Sequence, residues 1–276
     1  MTTHLLIDAD LIAFRASAFN QQTFDWGEGV VSQWADFKAA KRQARDEIDG
    51  YMEKLDGDKL TVCLSDDIEN YRKDILPSYK GNRTGERPEY LYDLKEWLYE
   101  RYPSARWSRI EADDLMGVMA TEPGTNEERI MVSSDKDMLT IPGLLYRPHL
   151  ENAEVEDISL ADADFYHLFQ TLTGDATDNY AGCPGIGPKK ARAALTELVG
   201  VAPVHREITR GKNKGDIRTT WEACPYDTPW EVVCSLYAKA GLGQRDALTQ
   251  ARCARILRHG EWLNGRPVLW SPGLGK

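Results

Sequence analysis

The chain has 276 residues, of which 42% are hydrophobic and 28% charged; this is the profile of a globular protein long enough for one large or two modest cores. No run approaches about 18 uninterrupted apolar residues, so no membrane span is expected, and the start, Met1-Thr2-Thr3-His4-Leu5, lacks the basic stretch and apolar run of a secretion signal. A net charge of −10 speaks at first against a polyanionic partner, but a ligand meets the local field rather than the total.

Leu5-Leu6-Ile7 is a short apolar run ending in Asp8, the pattern of a buried strand. The stretch from about Gln33 to Leu55 reads as a helix of mixed charge. Leu60-Thr61-Val62-Cys63-Leu64 reads as a second strand, ending at Ser65-Asp66. Leu76 to Pro88 is polar, basic and rich in glycine and proline, a long mobile connection of the kind that is often functional. Tyr90 to Arg101 is expected to be helical, Ala105 to Ile110 extended, and Asp113 to Ala120 helical. Ile130-Met131-Val132-Ser133 is another buried strand, ending at Ser134-Asp135, and Leu144-Leu145-Tyr146 a shorter one. This alternation of strand and helix predicts an α/β fold with a central, mostly parallel sheet flanked by helices. After about residue 158 the strands largely stop, and Phe165 to Leu172, Pro188 to Val199, Trp230 to Ala240 and Arg245 to Arg258 read as helices. The expected division is an α/β core over residues 1–165 and a helical region over 166–276.

Acids gather at the ends of these elements: Asp8 and Asp10, Asp66 and Asp67, Glu111 with Asp113 and Asp114, Asp135 and Asp137, Asp175 and Asp178. Asp8, Asp66 and Asp135 each follow a predicted strand, at the carboxyl edge where open parallel sheets bind ligands. Glu111 and Asp114, three apart, share one face of a helical turn, and Asp175 and Asp178 repeat that spacing. One such pair alone is read as easily as a helix cap. Five such groups at matching ends call for cations, because crowded carboxylates repel one another and shift to neutral forms. All-oxygen donors point to Mg²⁺ or Mn²⁺. The five histidines have no H-x-x-x-H spacing, and the five scattered cysteines have no C-x-x-C pair. These exclude an obvious zinc site and suggest reduced packing cysteines. Two ions about 3.5–4 Å apart can activate water and stabilise the leaving oxygen in phosphodiester hydrolysis. Tyr79-Lys80-Gly81-Asn82-Arg83 offers the cations such a phosphate needs, with a solvated loop as the alternative.

The ordered series I-D-A-D, S-D-D…Y-R-K…P-S-Y-K-G-N-R, E-A-D-D, S-S-D-K-D and G-D-A-T-D-N…P-G-I-G-P-K-K-A resembles the flap endonuclease and 5′–3′ exonuclease superfamily. It is most similar to the branch found in short-tailed coliphages. G-K-N-K-G and A-R-I-L-R extend the likeness, which runs from residue 7 to about 258. The resemblance implies a PIN-like nuclease core, a helical arch at about 70–105, and a C-terminal helical DNA-binding region with a helix-hairpin-helix element at about 175–199. It implies two Mg²⁺ ions, with Mn²⁺ as a substitute. Asp8, Asp66, Glu111, Asp113 and Asp114 would gather around the first ion, and Asp135, Asp137, Asp175 and Asp178 around the second. Lys80 and Arg83 would be the catalytic contacts to the scissile phosphate. Asp10 and Asp67 have no clear family counterpart and are not assigned as ligands, although the spacing leaves Asp66 and Asp67 as alternatives.

The glycines also have a physical reading. Gly185 and Gly187 allow a tight turn, Pro188 suits a first helical position, and Lys189, Lys190 and Arg192 follow. Backbone N–H groups at that helix start can hold a DNA phosphate, and the resemblance adds a K⁺ ion at the turn. Lys212 and Lys214 are a further backbone contact or a solvated hairpin. Tyr90, Tyr92, Trp97, Tyr99 and Trp107 serve either helix packing or stacking on bases, with packing favoured for most.

The reading that results is a Mg²⁺-dependent 5′–3′ exodeoxyribonuclease, expected to be monomeric and to work in the cytoplasm, that of the host if phage-encoded. Its partners would be double-stranded DNA with 5′ ends, nicks or flaps, and RNA–DNA hybrids. One rival is a haloacid-dehalogenase-type phosphatase with Asp8 as nucleophile, which leaves Y-K-G-N-R, E-A-D-D and P-G-I-G without a role. The other is a non-catalytic DNA-binding protein, which leaves the carboxylates unexplained.

Overall fold

A computed structural model describes residues 2–27 and 30–273. It begins with β1 (Thr2–Asp8), α1 (Ala9–Phe19), a hairpin of β2 (Gln21–Asp25) and β3 (Val31–Ala35), α2 (Phe37–Lys54) and β4 (Lys59–Cys63). There follow α3 (Arg72–Ile75), α4 (Leu91–Arg101), β5 (Ser104–Ala105), α5 (Ala112–Ala120), β6 (Glu127–Val132), a 3₁₀ turn (Lys136–Thr140), β7 (Gly143–Tyr146) and β8 (Val155–Ile158). The remainder holds α6 (Leu160–Thr173), α7 (Pro188–Glu197), β9 (Val199–Glu207), β10 (Ile217–Pro225), α8 (Pro229–Lys239), α9 (Gln244–Ala254), β11 (Trp262–Leu263) and β12 (Arg266–Pro267). No helix among the described residues is long and apolar enough to cross a membrane.

The chain divides into two compact units. The first takes residues up to Tyr71, Thr84–Ala163 and Ile256–Val268; the second takes Arg72–Arg83, Asp164–Arg255 and the residues from Leu269 onward.

In the first unit six strands run in the order β5-β4-β1-β6-β7-β8. The first five are parallel, and β8 is antiparallel to β7. Leu5, Leu6 and Ile7 are fully buried, as befits the central strand of a parallel sheet covered on its faces. Ile12, Ala13 and Ala16 of α1, Ala40, Ala44 and Ile48 of α2, and Leu94 and Leu98 of α4 join Leu5, Ile7 and Val62 in one core cluster. Truncating Ile48 or Leu98 to alanine would cost about 2–5 kcal/mol, the transfer and cavity cost of a buried aliphatic side chain.

The helix expected from Gln33 begins at Phe37. Asp36 is its N-cap, and its carboxylate accepts from the Ala39 N–H at 2.9 Å. Residues before that cap pair instead as β3. The extended stretch expected over Ala105 to Ile110 shortens to the strand Ser104–Ala105, and Arg109 turns with a φ of +66°.

In the second unit Leu172, Ala191, Leu195, Val232, Val233, Tyr237 and Ala247 bring α6, α7, α8 and α9 around a separate core. Thr228 caps α8 reciprocally: its hydroxyl accepts from the Glu231 N–H, and its own N–H donates to Glu231. The expectation that strands stop is corrected here, because β9 and β10 form a nine-residue antiparallel ribbon from Val199–Pro225 to Glu207–Ile217.

Candidate functional site

The parallel registers set the carboxyl edge of the first unit. Asp8 at the end of β1 lies level with Cys63 of β4, and Ile7 is level with Val132 of β6. Asp66 and Asp135 each follow three residues beyond those levels, so three strands deliver acids to one edge. Asp8 is 4% exposed. It caps α1, accepting from the Leu11 N–H at 3.1 Å, and it accepts from the Ser133 hydroxyl at 2.7 Å. The Asp135 N–H donates in turn to the Ser133 oxygen at 3.1 Å. Burial, then the neighbouring charge of Asp10, push the Asp8 carboxyl up to about 7, with Asp135 adding to the shift against the two hydrogen bonds. The buried Cys63 thiol is driven upward by burial and by the charges of Asp8, Asp10 and Asp113. These acids therefore share one electrostatic neighbourhood, and Cys63 stays a neutral thiol.

Asp10 and Asp67 have a role that the sequence did not suggest. Lys95 of α4 is only 3% exposed, and its ammonium meets Asp10 at 2.8 Å and Asp67 at 2.5 Å. Burial opposes the charge on Lys95, but the two carboxylates outweigh it and raise its pKa. Asp10 also accepts from the Ser65 N–H at 3.1 Å. One buried lysine thus joins α4 to the first turn of α1 and to the loop that follows β4.

Asp66 is held differently. Burial acts against its charge, yet donors from the Arg109, Ile68 and Glu69 backbone and the Ser108 side chain prevail and lower its pKa. The Arg109 N–H lies at 2.7 Å and the Ile68 N–H at 2.9 Å. In the E-A-D-D segment, Glu111 is the N-cap of α5, and Asp113 and Asp114 occupy its first turn. Asp114 is fully buried and accepts from the Leu257 N–H at 3.0 Å and the Glu111 N–H at 3.4 Å. Asp135 caps the 3₁₀ turn by accepting from the Asp137 N–H at 2.9 Å.

The second unit gathers the other predicted residues. Asp178 accepts from the Tyr79 hydroxyl at 2.6 Å and from Arg83 at 2.8 Å, with the Lys80 ammonium at 3.5 Å. The Lys80 N–H donates to the Asp178 carbonyl, Asn82 to the Ala176 carbonyl, and Asn179 to the Ser78 carbonyl. The Y-K-G-N-R segment is therefore a run of anchored turns, with Lys80 in the left-handed region at φ +54°. Asp175 is buried and accepts from the Thr177 and Asp178 N–H groups. Arg72, which sequence reasoning left without a function, is buried and donates to the Cys253 and Arg255 carbonyls at the end of α9.

Before α7, Gly185 takes a φ of +76°, where a side chain would be strained. Gly187 caps the helix at a φ of −90°, and nothing stands within 4 Å of where its Cβ would be. What glycine leaves there is bare backbone at a helix start, followed by exposed Lys189 and Lys190. Arg192 packs over the Phe165 and Phe169 rings. Lys212 and Lys214 are exposed in the turn that joins β9 to β10.

Among the predicted aromatics, Tyr90 stacks on Phe37, and Trp97 meets Tyr102 edge-on. Tyr90, Tyr92, Tyr99 and Trp107 remain exposed.

The donor chemistry of the first unit's edge, carboxylate oxygens gathered around the buried Asp8 with no histidine or cysteine ligand among the predicted set, fits a hard divalent cation. Among the described residues no three acidic, histidine or cysteine side chains stand close enough to enclose an ion.

A family model for the 5′–3′ exonuclease N-terminal resolvase-like domain matches residues 3–143. An exodeoxyribonuclease of Enterobacteria phage T3 is 32% identical over 282 residues, covering 97% of this chain and 92% of its own length. An exonuclease of Escherichia phage T7 is 31% identical over 282 residues, covering 97% and 93%. Among solved structures, the T5 D15 protein co-crystallised with metal ions has a TM-score of 0.58 at 17% identity over 91% of each chain, a likeness of fold. Neither the phosphatase nor the non-catalytic reading survives these matches. The chain belongs to the 5′–3′ exonuclease family of nucleases.

Proposed function

We propose that the protein is a Mg²⁺-dependent 5′–3′ exodeoxyribonuclease that hydrolyses phosphodiesters of double-stranded DNA to 5′-nucleotides. The observation that carries the reading is Asp8: a buried carboxylate at the end of the central strand whose neighbouring charges, Asp10 and Asp135, are carboxylates too. Such a group costs free energy when ionised unless a cation joins it. Asp8, Asp66, Glu111, Asp113 and Asp114 are proposed for one ion. Asp135 and Asp137 are proposed for a second, and Asp175 and Asp178 are proposed as ligands from the family's motif. Bound there, Mg²⁺ or Mn²⁺ would supply positive charge for the phosphate oxygens and for the attacking water.

The protein's own groups do the remaining work. Ser133 and the Leu11 N–H orient Asp8, and the Arg109 and Ile68 N–H groups fix Asp66 in its ionised form. Lys80 and Arg83 are proposed to turn from Asp178 to the scissile phosphate, where they would stabilise the charge that develops in the transition state. Backbone N–H groups at Gly187, with Lys189, Lys190 and Arg192, would hold a phosphate of the duplex in a helix-hairpin-helix arrangement that could include K⁺. Flap cleavage and removal of RNA from hybrids would use the same chemistry, in phage replication and recombination within the host cytoplasm. The test is a digest of 5′- and 3′-labelled duplex and flap substrates with Mg²⁺ or with EDTA. Release of 5′-terminal nucleotides in Mg²⁺ alone is expected; 3′-end release, or cleavage in EDTA, would contradict the reading.

A further inference from the structure

Among the described residues the ribbon β9–β10 is anchored at its base. At its base, the Val201 N–H donates to Ser235 at 3.1 Å, and the Tyr226 hydroxyl donates to the Val201 carbonyl at 3.0 Å. Gly200 lies so close to α8 that a Cβ there would stand 2.1 Å from the Ser235 oxygen. From His205 to Thr219 every residue except Ile208 is exposed. The strand from Ala202 to Glu207 projects roughly 20 Å at about 3.3 Å per residue. A two-stranded ribbon whose outer part is exposed in this way gains little stability of its own.

The charge on this arm is opposite to that of the chain. Residues 205–219 contain Arg206, Arg210, Lys212, Lys214 and Arg218 against the carboxylates Glu207 and Asp216, in a protein of net charge −10. Arg206 and Arg218 are direct cross-strand partners, so both side chains emerge on the same face. Like charges in that position repel, and Glu222 is paired with Arg206 at 2.6 Å. The tip is closed by backbone bonds: Ile208 donates to Asp216, Gly215 to Ile208, Asp216 to Asn213, and Lys214 to Gly211. The three tip cations therefore stand on a defined turn.

We propose that this ribbon is a DNA-backbone arm: Arg206 and Arg218 on its face, with Arg210, Lys212 and Lys214 at its tip, contact phosphates of duplex DNA some distance from the phosphate held at the α7 helix start. The inference rests on the reading of the protein as a DNA nuclease. A polyanion relieves the repulsion between facing arginines, and regularly spaced phosphates suit an extended row of cations. No base-edge recognition is required, so the arm would add affinity without sequence preference.

The experiment compares the wild-type protein with a variant carrying Arg206→Thr, Lys212→Ser, Lys214→Ser and Arg218→Thr. Each binds labelled blunt duplexes of about 8 and about 24 base pairs, roughly 27 and 80 Å long, with EDTA present and salt varied. The variant is expected to bind the long duplex about tenfold more weakly, with a salt slope shallower by roughly 0.9 for each phosphate it no longer neutralises. On the short duplex the deficit should shrink. Equal affinity and slope on the long duplex would return the arm to a solvated hairpin. A deficit of the same size at both lengths would overturn the extended reach. Circular dichroism checks the fold of the variant. Glu207→Gln with Asp216→Asn gives a second reading, because it should tighten long-duplex binding and steepen the slope; an unchanged slope contradicts the arm. Wild-type binding in the same titration separates the two levels: if the wild type ignores duplex DNA, the nuclease reading itself fails.

Discussion

Asp178 of the second unit and Asp8 of the first are treated in opposite ways. In the second, Asp178 sits among Tyr79, Lys80 and Arg83, so its charge is answered by groups of the same unit. In the first, Lys95 answers Asp10 and Asp67, while burial, and after it the neighbouring charges of Asp10 and Asp135, push the Asp8 carboxyl up to about 7. The difference separates carboxylates answered by a cationic side chain from one, Asp8, whose neighbouring charges are other carboxylates. A buried pairing such as that of Lys95 with Asp10 and Asp67 contributes to folding. An acid that the fold leaves electrostatically incomplete marks where an external cation would bind.

The sharpest break of this contrast is Asp135→Asn. It should abolish cleavage while binding to duplex persists without metal; turnover at the wild-type rate would remove Asp135 from the reactive edge. Next is Lys80→Ala, expected to lower kcat by roughly 10²–10³, the usual cost of losing one stabilising group at a developing charge. An unchanged rate would leave Lys80 only its pairing with Asp178.

Lys95→Met tests the structural acids. It strands Asp10 and Asp67 and should destabilise the protein by about 3–5 kcal/mol. Adding Asp10→Asn and Asp67→Asn should recover part of that loss in a denaturant titration. An undiminished stability in the single variant would show that the two ion pairs do not hold α4 in place.

The last effect is in pH dependence. The folded pKa of Asp8 lies above its ordinary 3.8, so between those values the folded protein retains a proton that the unfolded chain has released. Stability of the metal-free protein should therefore fall as pH rises from about 4 to about 7, by up to about 4 kcal/mol. Asp8→Asn should flatten that slope, and equal slopes in the two proteins would mean that Asp8 is not strained by its surroundings.

The central strands were legible because a buried parallel strand has little choice but a continuous apolar run, as in Leu5-Leu6-Ile7 and Ile130-Met131-Val132. Their carboxyl ends were legible for the same reason, and with them the positions of Asp8 and Asp135. The strands of β2–β3 and β9–β10 were not, since β2–β3 and the outer part of β9–β10 are largely exposed and leave no apolar face to read; of the second only the turn at Lys212 and Lys214 was read, as a backbone contact or a solvated hairpin. The β-branched pairs Val199/Val201 and Thr219/Thr220, on either side of the Gly211–Gly215 turn, were the available signal for the second. Asp36 as an N-cap would have moved the start of α2 from Gln33 to its observed place. The partnership of Lys95 with Asp10 and Asp67 depends on the sheet order and could not be read from spacing along the chain.

The most direct test of the incomplete-acid account is Mn²⁺ binding followed by electron paramagnetic resonance near pH 8, with no DNA present. The wild type should take up Mn²⁺, and Asp8→Asn should lose at least one bound ion or bind it far more weakly, while Asp178→Asn leaves the affinity of that first ion unchanged. Identical isotherms for wild type and Asp8→Asn would contradict the account, because the buried carboxylate at the centre of the sheet edge would then have no cation to meet.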